Sequence, residues 1–500
     1  MAWKSEFQIN KFSLIGAMAC EKDLKKLQET GGCTYCDIIG ANLMSYKLLL
    51  EDMNKINLMD ANLREANLRG TNLDGANLRG ANLSKVTLQG TLLKKANLCE
   101  VDFHQANLRE ADLSKANLQG ALLNEADLSK ANLQGTFLNN ANLFKSKLSK
   151  TDLRNADLSS CILNEVDLKN AQLNSCILNE ADLRNADLRD AQFSSCILNE
   201  ADLRNVDLRD AQLSSCILNE ADLRNADLSS CTLIGVDLKN AQLSSCILNE
   251  ANLRNVDLSS CTLNKVDLKN AQLSSCILNE ADLRNADLRN ADLRNADLRN
   301  VDLRNADLRN ADLRNADLSK AKLHCADLSG ADLHKSNLSN ADMCEASLCG
   351  ANLQEAKFSF SAKIILRKAN MSLANLHLAK LRGADMSEVN LHLADLSGAD
   401  LREADLSGAD LRQANMRCAD MRKAFLNNVN LIGADLNLTN LISADLNGSN
   451  MSGADLRGSK MGRASLIGTL LDNAKLTGAN LSGTDLSQAS LGGVDFITVT

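Results

Sequence analysis

Two kinds of chemistry are open to the side chains that recur in this chain: thiols for metal, redox or nucleophilic work, and carboxylates for acid–base work or cation binding. The 16 cysteines, 5 histidines and 63 Asp and Glu supply the material, and their spacing decides how much of it can act. Cys161, Cys176, Cys196, Cys216, Cys231, Cys246, Cys261 and Cys276 all stand in a place that most of the chain gives to Ala, so they read as small core groups. Cys176, Cys196 and Cys216 recur every twenty residues, and the absence of an export signal favours the reduced state for them. Cys33-Thr34-Tyr35-Cys36 is a single CxxC without a second pair or a nearby histidine, a weak zinc or redox signal. His104, His324, His334, His377 and His392 are scattered, with no Cys, Glu or Ser at a motif spacing, and neither a glycine-rich phosphate loop nor HExxH occurs. The expectation is a chain with no catalytic residues, no cofactor and no metal site, and no enzyme activity.

The element that must position these groups is a five-residue repeat. Leucine or an apolar substitute recurs at Leu63, Leu68, Leu73, Leu78 and onward, usually as Ala-Asp/Asn-Leu-x-x. In an α-helix a step of five turns a side chain by about 140°, which scatters the leucines over every face. A flat strand alternates with period two, so an odd step sends successive leucines to opposite faces. A chain that runs extended for three residues and turns a corner in two keeps them all inside. Ala and Leu then point inward, the intervening Asp or Asn points outward, and the fourth and fifth residues form the corner.

The run Ala-Asp-Leu-Arg-Asn, repeated from Ala281 to Asn315 with Val301 as its one variant, resembles the pentapeptide-repeat family. That resemblance implies an all-β fold, a right-handed four-sided β-helix with four repeats per coil; the period alone does not choose four sides over three. Central positions from Ile38 to Phe358 and from Leu366 to Phe496 make 92 repeats, or about 23 coils. At about 4.8 Å per coil they would stack to about 110 Å. The absence of proline and the scarcity of aromatics fit a narrow core under a continuous hydrogen-bond ladder.

The expected organisation is an N-terminal cap over 1–35, a β-helix over 36–358, a frame-shifting bulge or loop over 359–365, and a continued β-helix over 366–500. A boundary between two rods at 359–365 is the other possibility. Leu24 and Leu27 at helical spacing, followed by Gly31-Gly32, predict a capping helix over Glu21–Thr30. The apolar tail from Phe496 offers no helix, which points to closure of that end by a second copy of the chain. Phe12 to Ala19 with Cys20 faintly resembles a lipoprotein signal and is too short to span a bilayer, so the chain reads as cytoplasmic. Lys4 to Asn10 leaves room for secretion as a bacterial effector.

Charge is unevenly spread. Residues 151–280 carry a net −9, which exceeds the total of −8, while 61–150 carry +4 and 281–315 balance seven Asp with seven Arg. Under a twenty-residue coil, the period-twenty segment 171–230 aligns Glu180, Glu200 and Glu220; Asp182, Asp202 and Asp222; and Asp187, Asp207 and Asp227, with Asp190 and Asp210 at a corner. Ile177, Ile197 and Ile217 form an outward apolar stripe beside them. Like charges about 5 Å apart repel unless Arg184, Arg204 and Arg224 or a partner screens them.

These ladders are the candidate partner-binding residues of a protein-interaction scaffold. They are equally what recent repeat duplication leaves behind. Some members of the family resemble DNA in width and charge and bind DNA gyrase or topoisomerase, which makes 151–280 the candidate mimic here. Direct nucleic-acid binding is disfavoured by the acidic balance and the scarcity of stacking aromatics.

Overall fold

The computed structural model describes residues 21–48, 51–358 and 365–500, and the chain divides into two compact units, Met1–Gln192 and Phe193–Thr500. Residues 4–10, the apolar run 12–19 with Cys20, and residues 359–364 of the frame break lie outside the described residues.

In each unit the outward Asp, Asn or substitute pairs in parallel with the residue twenty positions on. Asn62 pairs with Asn82 and Asn82 with Asp102 in unit one; Asp282 pairs with Asp302 and Asp302 with Lys322 in unit two. Twenty residues per coil means four five-residue sides, and the fold is a right-handed four-sided β-helix. The inward Ala and Leu places are almost without exposure in both units. Cysteine and threonine share the small inward place. The hydroxyls of Thr71 and Thr91 donate to the carbonyls of Leu48 and Leu68 at 2.6 and 2.8 Å, and the Cys176 and Cys231 thiols meet the carbonyls of Leu153 and Leu208 in the same way. A small polar group is tolerated there because a backbone acceptor faces it.

Each corner is a turn closed onto the leucine carbonyl, as where the Ala61 N–H donates to Leu58 at 3.0 Å. The third residue of that turn has a positive φ, between 52° and 62° where it is not glycine. Type II turns require this, and it explains the abundance of Asn and Gly at the fifth place. At Gly398 and Gly458 glycine also makes room: a Cβ would lie 2.9 Å from Cδ2 of Leu378 and Leu438 in the preceding coil.

Helix α1, Glu21–Thr30, has Glu21 and Asp23 in its first turn and buries Leu27. It stops where the N–H of Gly31, at φ 78°, donates to the Leu27 carbonyl at 2.9 Å. An Asp23 carboxylate oxygen accepts the N–H of Asp37 at 3.0 Å, so the helix satisfies an edge donor at the start of the ladder. Within unit two, Asp342 pairs with Ile365 and Lys357 with Lys380, a step of twenty-three, and the twenty-residue step returns at Ile365 and Asp385. The ladder therefore continues with three additional residues in one coil. In the last coil the inward Leu481, Leu486 and Leu491 are only half-buried, and Phe496 is 48% exposed.

Candidate functional site

The outward carboxylates have a local task before any other. In many repeats with Asp or Asn at the second place, its side-chain oxygen accepts the N–H two residues on: Asn62 from Arg64 at 3.2 Å, Asp282 from Arg284 at 3.2 Å. This fixes the entry to the corner and accounts for Asp and Asn at that place. Where an arginine follows, its guanidinium folds back onto the same carboxylate. Arg284 places Nε 2.8 Å from Oδ1 and Nη2 2.7 Å from Oδ2 of Asp282, a two-point staple.

All seven Asp of 281–315 are stapled in this way. Several arginines also reach the carboxylate one coil on, as Arg289 to Asp307 and Arg294 to Asp312, both 3.6 Å. The hydrogen-bonded guanidinium holds Asp282, Asp287 and Asp292 below the usual carboxylate range, against the opposing effect of partial burial.

The ladders expected over 171–230 are mixed in charge. In unit two Asp202 pairs with Asp222, Asp207 with Asp227, and Ile197 with Ile217; the next positions in those columns are Gln242, Ile247 and Asp237. In unit one Ile177, Asp182 and Asp187 follow Asp157, Ile162 and Asp167, so an acid precedes Ile177 in its column. Arg204 bonds Asp202 at 2.6 Å and reaches Asp222 at 3.6 Å; Arg209 does the same for Asp207 and Asp227. In unit one Arg184 and Arg189 staple Asp182 and Asp187.

Partial burial raises the Asp222 carboxyl, yet its bonds to Arg224 and the charge of Arg204 leave it below the usual value. The corner acids differ. Glu180 accepts from the Ser160 hydroxyl at 3.3 Å, and Asp190 occupies a corner at φ 59°. Glu200, Glu220 and Asp210 are exposed and make no ion pair among the described residues.

The eight core cysteines are buried, and burial pushes the thiols of Cys161, Cys231, Cys246, Cys261 and Cys276 up to about 12. The CxxC is closed: Cys33 and Cys36, both buried, form a disulfide with their Cα atoms 5.6 Å apart, where the sequence suggested a weak zinc or redox signal. A turn with both side chains inward puts the two sulfurs in bonding range.

Three of the histidines are engaged locally: His104 with Asn124, His377 with the Ser397 hydroxyl at 2.8 Å, and His392 with the Arg412 carbonyl at 3.0 Å. His324 instead lies beside Cys325 and Glu345. A motif search along the chain misses this group because its members are joined by the coil step of twenty. A surface hollow of about 430 Å³ lined by Ile442, Lys460, Arg463 and Asn480 is open to solvent and brings together no acid–base pair. No helix among the described residues is long and apolar enough to cross a membrane.

The family model described as pentapeptide repeats matches residues 56–94, 88–124, 121–159, 296–334, 326–359, 363–392, 394–431, 426–463 and 459–496, and the model for a pentapeptide repeat region matches 166–243 and 236–313. Among solved structures, the chain is similar to HetL, a pentapeptide repeat protein involved in heterocyst differentiation regulation in the cyanobacterium Nostoc sp. strain PCC 7120. That match has 33% identity over 49% of this chain and 89% of that one, with a TM-score of 0.19. A pentapeptide repeat protein of the Arabidopsis thaliana thylakoid lumen matches at 31% identity over 20% and 67% of the two chains, TM-score 0.18. QnrB1, a plasmid-mediated fluoroquinolone resistance protein, matches at 15% identity over 37% and 91%, TM-score 0.25. No curated protein matches the chain in sequence.

Proposed function

The chain belongs to the pentapeptide-repeat family, and from that premise we propose a non-enzymatic scaffold that binds a protein partner along its outer walls. The observation that supports this reading is the division of labour among the carboxylates. Those on the walls are consumed by corner bonds and arginine staples, whereas Glu200, Glu220 and Asp210, at corners beside the exposed Ile217, make no ion pair among the described residues. Such a surface fits a partner that carries basic side chains around a small apolar contact. The test is capture by the intact chain against a Glu200→Lys/Asp210→Lys/Glu220→Lys variant. Loss of a specific partner is expected, and identical capture by both removes the reading.

A second reading, a DNA-like surface for gyrase or topoisomerase, draws on the same corners and on the net −9 of residues 151–280. The staples weigh against it, since they tie up Asp152, Asp182, Asp187, Asp202, Asp207 and Asp222, six of the fourteen Asp in that stretch. Inhibition of supercoiling by micromolar protein would favour it over the scaffold. We place the work in the cytoplasm, with delivery as a secreted effector as the other possibility. A second copy covering the half-buried Leu481, Leu486 and Leu491 remains part of the proposal, and light scattering of the intact chain tests it.

A further inference from the structure

One corner of unit two departs from the pattern of its neighbours. His324 and Cys325 form the corner of one coil, and Cys344 and Glu345 form the matching corner of the next, held in register by the Lys322 to Asp342 pairing and by the Cys325 N–H donating to the Cys344 carbonyl at 3.1 Å. A ring nitrogen of His324, the Cys325 sulfur and a Glu345 carboxylate oxygen all lie within 4.8 Å of one another, and the sulfur is 3.6 Å from Oε2 of Glu345.

Several equivalent corner pairs are ordinary ion pairs: Lys145 with Glu165 at 3.4 Å, Lys335 with Glu355 at 3.9 Å, Lys368 with Glu388 at 3.7 Å. Here the place of the lysine is taken by Cys325, and Glu345 makes no ion pair among the described residues. Cations on the adjacent coils are engaged elsewhere, Arg304 with Asp302 at 2.6 Å and Arg367 and Lys368 with Glu388. Unlike His377 and His392, His324 has no hydrogen bond to its ring among the described residues.

We propose that His324, Cys325 and Glu345, with Cys344 as the fourth ligand, bind a zinc ion that clamps two adjacent coils. Zinc bonds of about 2.0–2.3 Å put tetrahedral ligand atoms about 3.3–3.8 Å apart, so the sulfur–carboxylate separation already matches and the imidazole needs only a small side-chain rotation. One imidazole, two thiols and one carboxylate make a borderline-soft set that suits zinc and is wrong for magnesium or calcium, which take oxygen. Four protein ligands leave no open position, so the ion is structural. Cys344 is half-buried and occupies the place directly beyond His324 in the ladder, where a turn of its side chain completes the set.

The probe is Co²⁺ alone, titrated into the intact chain under a phosphine reductant. One equivalent should give the thiolate charge-transfer and tetrahedral d–d bands, which Zn²⁺ then abolishes. Cys325→Ser and His324→Ala should each weaken Co²⁺ binding by roughly tenfold or more, whereas Cys418→Ser and Cys33→Ser/Cys36→Ser should leave the bands in place. Zn²⁺ should also slow alkylation of Cys325 and Cys344 in the unsubstituted chain, read by mass spectrometry, which bypasses any folding defect of a variant. Absence of the bands, their survival in Cys325→Ser, or unprotected alkylation overturns the proposal.

Discussion

Residues 281–315 and 320–345 follow one another in unit two with the same coil, the same inward Ala and Leu and the same corner φ, and they use their outer surface in opposite ways. In the first, every wall carboxylate is clamped by the arginine two residues on. In the second, the corner places hold His324, Cys325, Cys344 and Glu345, and the carboxylate faces a thiol instead of a cation. The backbone asks only that the fifth residue accept a positive φ, a demand that Asn, Glu, Lys and Cys all meet here. Interior and wall are therefore fixed by the coil, while corners are free to carry chemistry.

Thiol reactivity should divide most sharply between inside and corner. Burial to about 12 lowers the thiolate fraction of Cys246, Cys261 and Cys276 by roughly a thousandfold relative to an ordinary thiol, before steric protection is added. In metal-free native protein, an aromatic disulfide reagent should modify Cys325 and Cys418 quickly and these three only after denaturation. Rapid modification of all of them would mean that the coils open readily.

Packing comes next in size. Leu308 is fully buried in the stapled segment, and Leu308→Ala should cost about 3 kcal/mol, seen as a lower urea midpoint and as new proteolytic cleavage nearby. Cys325→Ala, at an exposed corner in the absence of metal, should leave that midpoint almost unchanged. Equal losses from the two would erase the distinction between core and corner.

The smallest effect is that of acid. Asp282, Asp287 and Asp292 titrate below their unfolded value of about 3.9, so their contribution is complete above that pH and is lost as pH falls through the lower folded values. Hydrogen exchange, corrected for intrinsic rates, should therefore loosen 281–315 below about pH 4 more than 320–345. Asp292→Asn keeps the acceptor for the corner N–H and loses the charge, so it should cost less than about 1 kcal/mol at neutral pH and blunt the acid response locally.

Particular residues show where sequence reasoning stopped. The step from Leu63 to Leu68 excluded helix and flat strand without reference to any structure, and the CxxC was visible as a motif whose closure was not. The Asp columns over 171–230 and the arginines that could screen them are both legible in the sequence. An arginine two residues on is legible in sequence, whereas its fold back onto the carboxylate depends on the turn between them. His324 reads as one of five scattered histidines because ligand motifs space their residues along helices and loops, and the relevant interval here is the coil.

By itself, then, the sequence determined the solenoid, its inward leucines and small residues, the capping helix and the uneven charge, because a five-residue period leaves only one way to keep the apolar groups from water. The tertiary structure alone decided which outer groups meet. Residues twenty or twenty-three apart become neighbours only when the coils stack, and whether a carboxylate finds arginine, serine, cysteine or solvent depends on the turn that aims each side chain across that step.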